Sequence, residues 1–261
     1  MKIYNSFENL IKDSGSNLLN WGQSIAVNNW QGLENREKNI PNLHELFQYS
    51  VKVPMVLDMD ILSKFSDQPW AENHFQERIS GNPTNPGDTY KDWPYYREGE
   101  YRKEIFTHTY QERFWPKYAN GGVENYLDSS GDWAHRGIRY EYGDLNDVIQ
   151  LLKKDKNTRQ AFLPIFFPED TGAVHGGRIP CTLGYLFNIR KGFLHMTYYI
   201  RSCDYIRHFH NDLYLANRLA MHIREKLLDI YPDLFLGFLT MHIESFHCFE
   251  SDLLELKKRI K

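Results

Sequence analysis

Cys181 directly follows Pro180, and twenty residues further on come Arg201, Ser202 and Asp204. A thiol at the start of a strand sits where a chain end can expose it. A guanidinium nearby favours the thiolate and can hold a phosphate in a bidentate grip. Eight residues beyond Asp204 stands a further carboxylate, Asp212. A nucleophile, an anion-binding arginine and two carboxylates within 32 residues point to covalent catalysis on an anionic substrate. A lone cysteine is more often a small buried apolar residue, so its neighbours carry this reading.

The elements that must position these residues are legible mainly in the second half of the chain. Residues 182–189 and 193–200 are rich in β-branched and aromatic side chains and meet at Lys191-Gly192, which predicts a hairpin. Residues 212–228 predict a long helix with Leu215, Leu219, Ala220, Ile223 and Leu227 along one stripe. Asp144 caps a predicted helix reaching about residue 154, residues 161–167 read as a buried strand, 235–243 as another, and 252–260 as a short terminal helix. Upstream, residues 70–79 predict a helix with Ala71, Phe75 and Ile79 on one face, and 81–99 a long Gly-, Pro- and Asn-rich loop. Strands and helices mix without strict alternation. The expected class is α+β, a large mixed sheet with helices packed on it.

The chain has 261 residues, with 41% hydrophobic and 15% aromatic side chains, enough for a sizeable core. A formal net charge of −3 argues against a nucleic-acid partner. Three cysteines at no metal-like spacing argue against a disulfide framework and fit a reducing, cytoplasmic compartment. Residues 1–31 contain no signal-peptide core, and no run approaches the ~18 to 20 apolar residues of a membrane span.

The stretch from Arg178 to Asp212 resembles the thymidylate synthase superfamily, and most closely its CMP and dCMP hydroxymethylases. Pro180-Cys181, Arg201-Ser202-Cys203-Asp204, Asp212 and His242 match the family pattern without a gap. Residues 144–168 resemble the family's helix and Ser-Arg-Arg strand, and 107–113 its Tyr-Gly-x-x-x-Arg region. The likeness covers about residues 105–247 of what is read as a single catalytic domain, 1–261, and is faint over 1–104.

The resemblance implies a sheet-mediated homodimer with shared active sites. It implies that Cys181 adds to C6 of a pyrimidine nucleotide, so that C5 attacks the methylene of 5,10-methylenetetrahydrofolate. Arg201 and Ser202 would bind the phosphate, and Arg159 would reach the phosphate in the partner subunit. Asp204 would order the ring and the pterin, and Tyr110 would assist proton removal from C5. His242 and Glu244 would bind the sugar. A glutamate on an N-terminal helix would handle protons at the ring edge, with Glu72 preferred over Glu77. Trp93 would stand near the pterin.

Asp212 occupies the position where thymidylate synthases carry asparagine. A carboxyl group accepts from the cytosine N4–H2 and, when protonated, donates to N3, whereas an ionised carboxylate repels O4 of uracil. The expected substrates are therefore CMP or dCMP, with the ribose or deoxyribose left open. The expected product is the 5-hydroxymethyl derivative. The sequence continues only 14 residues past His247, and an unsealed site favours hydration over hydride transfer. Thr182 and Gln160 depart from the family's His and second Arg. The competing readings are a methyltransferase acting on dUMP, a non-catalytic nucleotide-binding relative, and a metal-dependent hydrolase using His208, His210, His242 or His247. No metal site is expected, since no histidine pair has zinc-binding helical spacing.

Overall fold

A computed structural model describes residues 1–27, 29–30, 33–34, 40–95, 106, 108–119, 143–173 and 179–260. Of the sequence motifs, residues 96–99 of the predicted loop, Thr107 and Arg178 lie outside these.

In chain order the strands are β1 (Lys2–Ile3), β2 (Gln23–Ile25), β3 (Asn29–Trp30), β4 (Leu33–Glu34), β5 (Leu43–Pro54), β6 (Phe162–Pro164), β7 (Thr182–Arg190), β8 (Phe193–Asp204) and β9 (Phe235–Phe249). The helices are α1 (Phe7–Trp21), α2 (Asp60–Ser63), α3 (Trp70–Ile79), α4 (Tyr110–Phe114), α5 (Leu145–Lys154), α6 (His210–Leu227) and α7 (Leu253–Arg259). Seven strands form one mixed sheet in the order β1-β5-β9-β8-β7-β6, with β2 also on β5. The α+β class and the large mixed sheet are as expected.

The predicted hairpin is β7 and β8, closed by Lys191 at φ +53° and Gly192 at φ +78°. Gly192 takes this left-handed backbone at no steric cost, whereas Lys191 adopts it because the two-residue turn requires it. Strands β8 and β9 run parallel, so the chain must cross back between them. It does so through a π-turn at Tyr205–Phe209 and helix α6. The apolar stripe of α6 faces the sheet, burying Leu213, Leu219 and Ile223 against Tyr198, Met241 and Phe246 in one continuous core.

Three elements differ from expectation. Strand β6 is only three residues long: Pro164 lacks an N–H, and the amides of Ile165 and Phe166 both turn to the Leu183 carbonyl at 3.1 Å. Strand β9 runs six residues past Ile243, because residues 245–249 pair with β5, a strand the sequence reading did not assign. On α3 the buried stripe is Ala71, Phe75 and Arg78, so an arginine is turned inward where Ile79 was expected.

The helices cover one face of the sheet. On the other face Ser50, Thr197, Tyr199, Thr240, His242 and Glu244 remain half-buried or exposed. Asn217, fully buried on α6, accepts from the Val56 N–H at 3.0 Å and donates to the Val56 carbonyl at 2.8 Å, fastening the segment after β5. Asn217→Ala strands both groups and is expected to cost about 1–3 kcal/mol. A urea unfolding midpoint equal to the parent's would show that other contacts hold this segment.

Candidate active site at the head of strand β7

Cys181 stands half-buried immediately before β7. Arg201 fixes its approach. The Arg201 amide donates to the Cys181 carbonyl at 2.9 Å, and the guanidinium donates from Nε to the Pro180 carbonyl (2.8 Å) and from Nη2 to Ile179 (3.0 Å). Part of the guanidinium expected to hold phosphate therefore positions the chain that carries the thiol.

Beside Cys181 begins a hydrogen-bonded line drawn from four elements. The Tyr110 and Thr182 hydroxyls lie 3.0 Å apart, and Thr182 and Tyr198 2.8 Å apart. Tyr198 donates to Asp212 Oδ1 at 3.3 Å, and the Cys203 thiol approaches Asp212 Oδ2 at 3.5 Å. Tyr110 is placed by a capping box, in which Thr109 accepts from the Glu112 amide while the Glu112 carboxylate accepts from the Thr109 amide. Thr182 opens β7, Tyr198 and Cys203 sit on β8, and Asp212 lies in the first turn of α6. Tyr185 packs on Tyr198 with ring centres 4.6 Å apart.

Burial dominates the electrostatics here. It raises the Asp212 carboxyl to about 6, against the opposing charge of Arg78 and the bonds from Cys203 and Tyr198. Burial also pushes up Tyr110, Tyr185, Tyr198 and Cys203, with the Asp212 charge adding to the rise in each. The line therefore holds its protons at neutral pH, and Asp212 is the group in it poised to titrate there.

Cys181, Tyr110 and Asp212 are thus brought together, with Arg201 bracing the thiol's segment. The other expected residues sit differently. The Asp204 carboxylate caps the π-turn, accepting from the amides of Ile206 (2.8 Å) and Arg207 (3.0 Å), and pairs with the Arg207 guanidinium at 2.9 Å. Both of its oxygens are thus engaged from within the chain. Glu72 is clasped by Arg218 at 2.8 and 2.9 Å and by the Tyr214 hydroxyl at 2.6 Å. Burial alone would raise its pKa, but these bonds outweigh it and draw the group down to about 2. They lie on a different side of α6 from Asp212. Glu77, the competing glutamate, comes closer: it accepts from Gln111, next to Tyr110, and from Thr89. Gly87 permits this, since a Cβ there would meet the Glu77 carboxylate at 2.5 Å.

His242 and Glu244 are not brought to this cluster. They lie on the uncovered face of the sheet, while Tyr198 and Met241, one residue earlier on paired strands, point to the helices. There His242 stacks on Tyr199 (5.5 Å) and meets Ser50 at 2.9 Å, lining a shallow hollow with Gln48 and Glu244. The histidine beside Asp204 is His247, buried and in register with it. Ser202 is half-buried on β8 and Arg159 is exposed between α5 and β6. Trp93 stacks on His208 with ring centres 5.0 Å apart, and its buried Nε1 has no hydrogen-bond partner among the described residues. No group of three metal-ligating side chains converges among the described residues.

Sequence reasoning missed Arg78, Tyr185 and Tyr198. The signal for Arg78 was its place seven residues after Ala71, on the inward stripe of α3. The chain matches no known family model and no curated protein.

A carboxyl group whose pKa is raised on folding stabilises the fold only while protonated, and this is lost as pH rises through about 6. Asp212→Asn is therefore expected to gain stability over the parent above pH 6, by roughly 1–3 kcal/mol at pH 7.5, with the gap closing towards pH 4. Denaturant unfolding across that range checks it, and a gap independent of pH would contradict the buried-carboxyl assignment.

Proposed function

We propose that the chain transfers a one-carbon unit to C5 of a pyrimidine nucleotide, converting CMP or dCMP to the 5-hydroxymethyl derivative through a Cys181 adduct at C6. The observation that carries this reading is the hydrogen-bonded line from Tyr110 through Thr182 and Tyr198 to the buried Asp212, which begins beside Cys181 at the head of β7. It is supported by the resemblance of residues 178–212 to the cytidylate hydroxymethylases.

In this reading the Cys181 thiolate adds to C6 and raises electron density at C5, dividing one difficult substitution into two easier steps. The electrophilic methylene would come from 5,10-methylenetetrahydrofolate as co-substrate. Of the two residues expected to hold it, Trp93 keeps an indole N–H without a partner among the described residues, whereas the Asp204 carboxylate is engaged by Ile206 and Arg207. Asp204 acts instead as a positioning residue, turning the chain so that Asp212 arrives at the cluster. Asp212 accepts from the cytosine N4–H2. Tyr110, held by Thr182, stands at the thiol end of the line to take part in proton removal from C5. The free donors of Arg201, with Ser202, would hold the phosphate.

We also assign a homodimer formed through the uncovered sheet face, with Arg159 directed at the partner's phosphate site. Half-buried Tyr199, Thr197 and Thr240, with exposed Phe47 and Phe162, supply an apolar surface suited to self-association.

Tritium release from [5-3H]CMP or [5-3H]dCMP, dependent on methylenetetrahydrofolate and lost in Cys181→Ala, is the expected result. Mass spectrometry of the product should show a gain of CH2O. Release that survives Cys181→Ala rejects the covalent route. A gain of CH2 on labelled dUMP identifies a methyltransferase instead, and nucleotide binding with no release identifies a non-catalytic relative.

A further inference from the structure

Arg78 is 6% exposed, and its buried guanidinium Nε has no hydrogen-bond partner among the described residues. Its Cζ lies 4.0 Å from the centre of the Tyr110 ring, which it covers. The Trp115 indole donates to the Arg78 carbonyl at 2.7 Å and locks the last turn of α3 against α4, so this placement is built in. The charge is felt at Tyr110, at Tyr185 and at Asp212, on three different elements. An arginine stays charged at any physiological pH, and a buried charge without a partner is costly to a fold. Glu77, its neighbour in sequence, is turned instead to Thr89 and Gln111. The described groups around Asp212 are all neutral donors or phenols except Arg78: Tyr198 and Cys203 from β8, Tyr185 from β7 and Tyr110 from α4.

We infer that Arg78 is a base-binding residue that donates a hydrogen bond to an acceptor on the pyrimidine edge, paired with Asp212 as the acceptor of an N–H on that edge. This rests on the function proposed above and names how the base edge is recognised. An asparagine amide offers one acceptor and one donor to a base edge, and a carboxylate with a guanidinium beside it offers the same two. Cytosine presents the N4–H2 donor next to the N3 acceptor, so Asp212 takes the first and Arg78 the second. Asp212 then works ionised, and no protonated carboxyl is needed to reach N3. A uracil edge, N3–H beside O4, satisfies the same pair, so Asp212 by itself does not exclude uridylates. The bound ring also gives the guanidinium an acceptor.

Arg78→Met and Arg78→Lys, with binding of CMP, dCMP and dUMP measured by calorimetry and unfolding measured without ligand, test this. For whichever nucleotide the parent binds, Arg78→Met is expected to weaken affinity tenfold or more, and Arg78→Lys to recover part of it. The free Arg78→Met protein should melt no lower than the parent, since it loses a buried charge whose Nε has no hydrogen-bond partner among the described residues. The parent's kcat/KM should rise with pH through about 6 as Asp212 ionises, and in Arg78→Met that rise should move to higher pH, because the charge that opposes the raised carboxyl pKa is gone. Unchanged nucleotide affinity in Arg78→Met, or a lower melting temperature of the free variant, overturns this inference and leaves Cys181 chemistry standing. A kcat/KM that falls through pH 6 also overturns it, because the carboxyl itself would then be the donor. A parent protein that binds none of the three nucleotides rejects the proposed function and this inference together.

Discussion

The carboxylate of Asp204 governs how the rest of the molecule is arranged. It ends β8 by accepting two backbone amides and so begins the π-turn that carries the chain into α6. Through Arg207 it also reaches Asp252, at the entrance to α7. The parallel pairing of β8 with β9 requires a crossover, and this turn sets where the crossover helix starts. The first turn of α6 therefore delivers Asp212 over Tyr198 and Cys203. Charged groups at a turn cap are among the stronger hydrogen-bond acceptors, which suits this one to a fixed geometry.

Two arginines do opposite things in this region. Arg201 is occupied, with two carbonyls and a backbone register that hold Cys181 at the mouth of β7. Arg78 is packed over a phenol, its charge felt at a carboxyl group raised by burial, and its Nε has no hydrogen-bond partner among the described residues. A cation and a titratable carboxyl both kept buried without a direct ion pair are costly to a fold. Natural folds accept such costs where binding needs them.

The sheet separates the chemistry into two faces. The hydroxyl line and Asp212 belong to the helix-covered face, whereas the hollow of His242, Tyr199 and Ser50 belongs to the open one. Spacing along the sequence matched His242 to a sugar-binding role without a gap. Strand pleating puts His242 on the opposite face from Tyr198, because a single residue of phase moves a side chain through the sheet.

Much of the second half was legible from residues alone: the hairpin turn at Lys191-Gly192, the apolar stripe of α6, the Asp144 cap and the placing of Cys181 at a strand head. These depend on local periodicity and turn chemistry, which a sequence states directly. In the first half the helix at residues 70–79 was legible, but the strands were not. Strand β5 alternates weakly, and it exists because β9 offers eleven paired positions to it. The proximity of Tyr110, Thr182, Tyr198 and Asp212 was likewise decided by tertiary structure, since four separate elements supply it. So were the inward turn of Arg78 and the capture of Asp204 and Glu72 by internal partners. Residue types name the chemistry a chain has available, but which carboxylate stays free and which is bonded depends on contacts between distant segments.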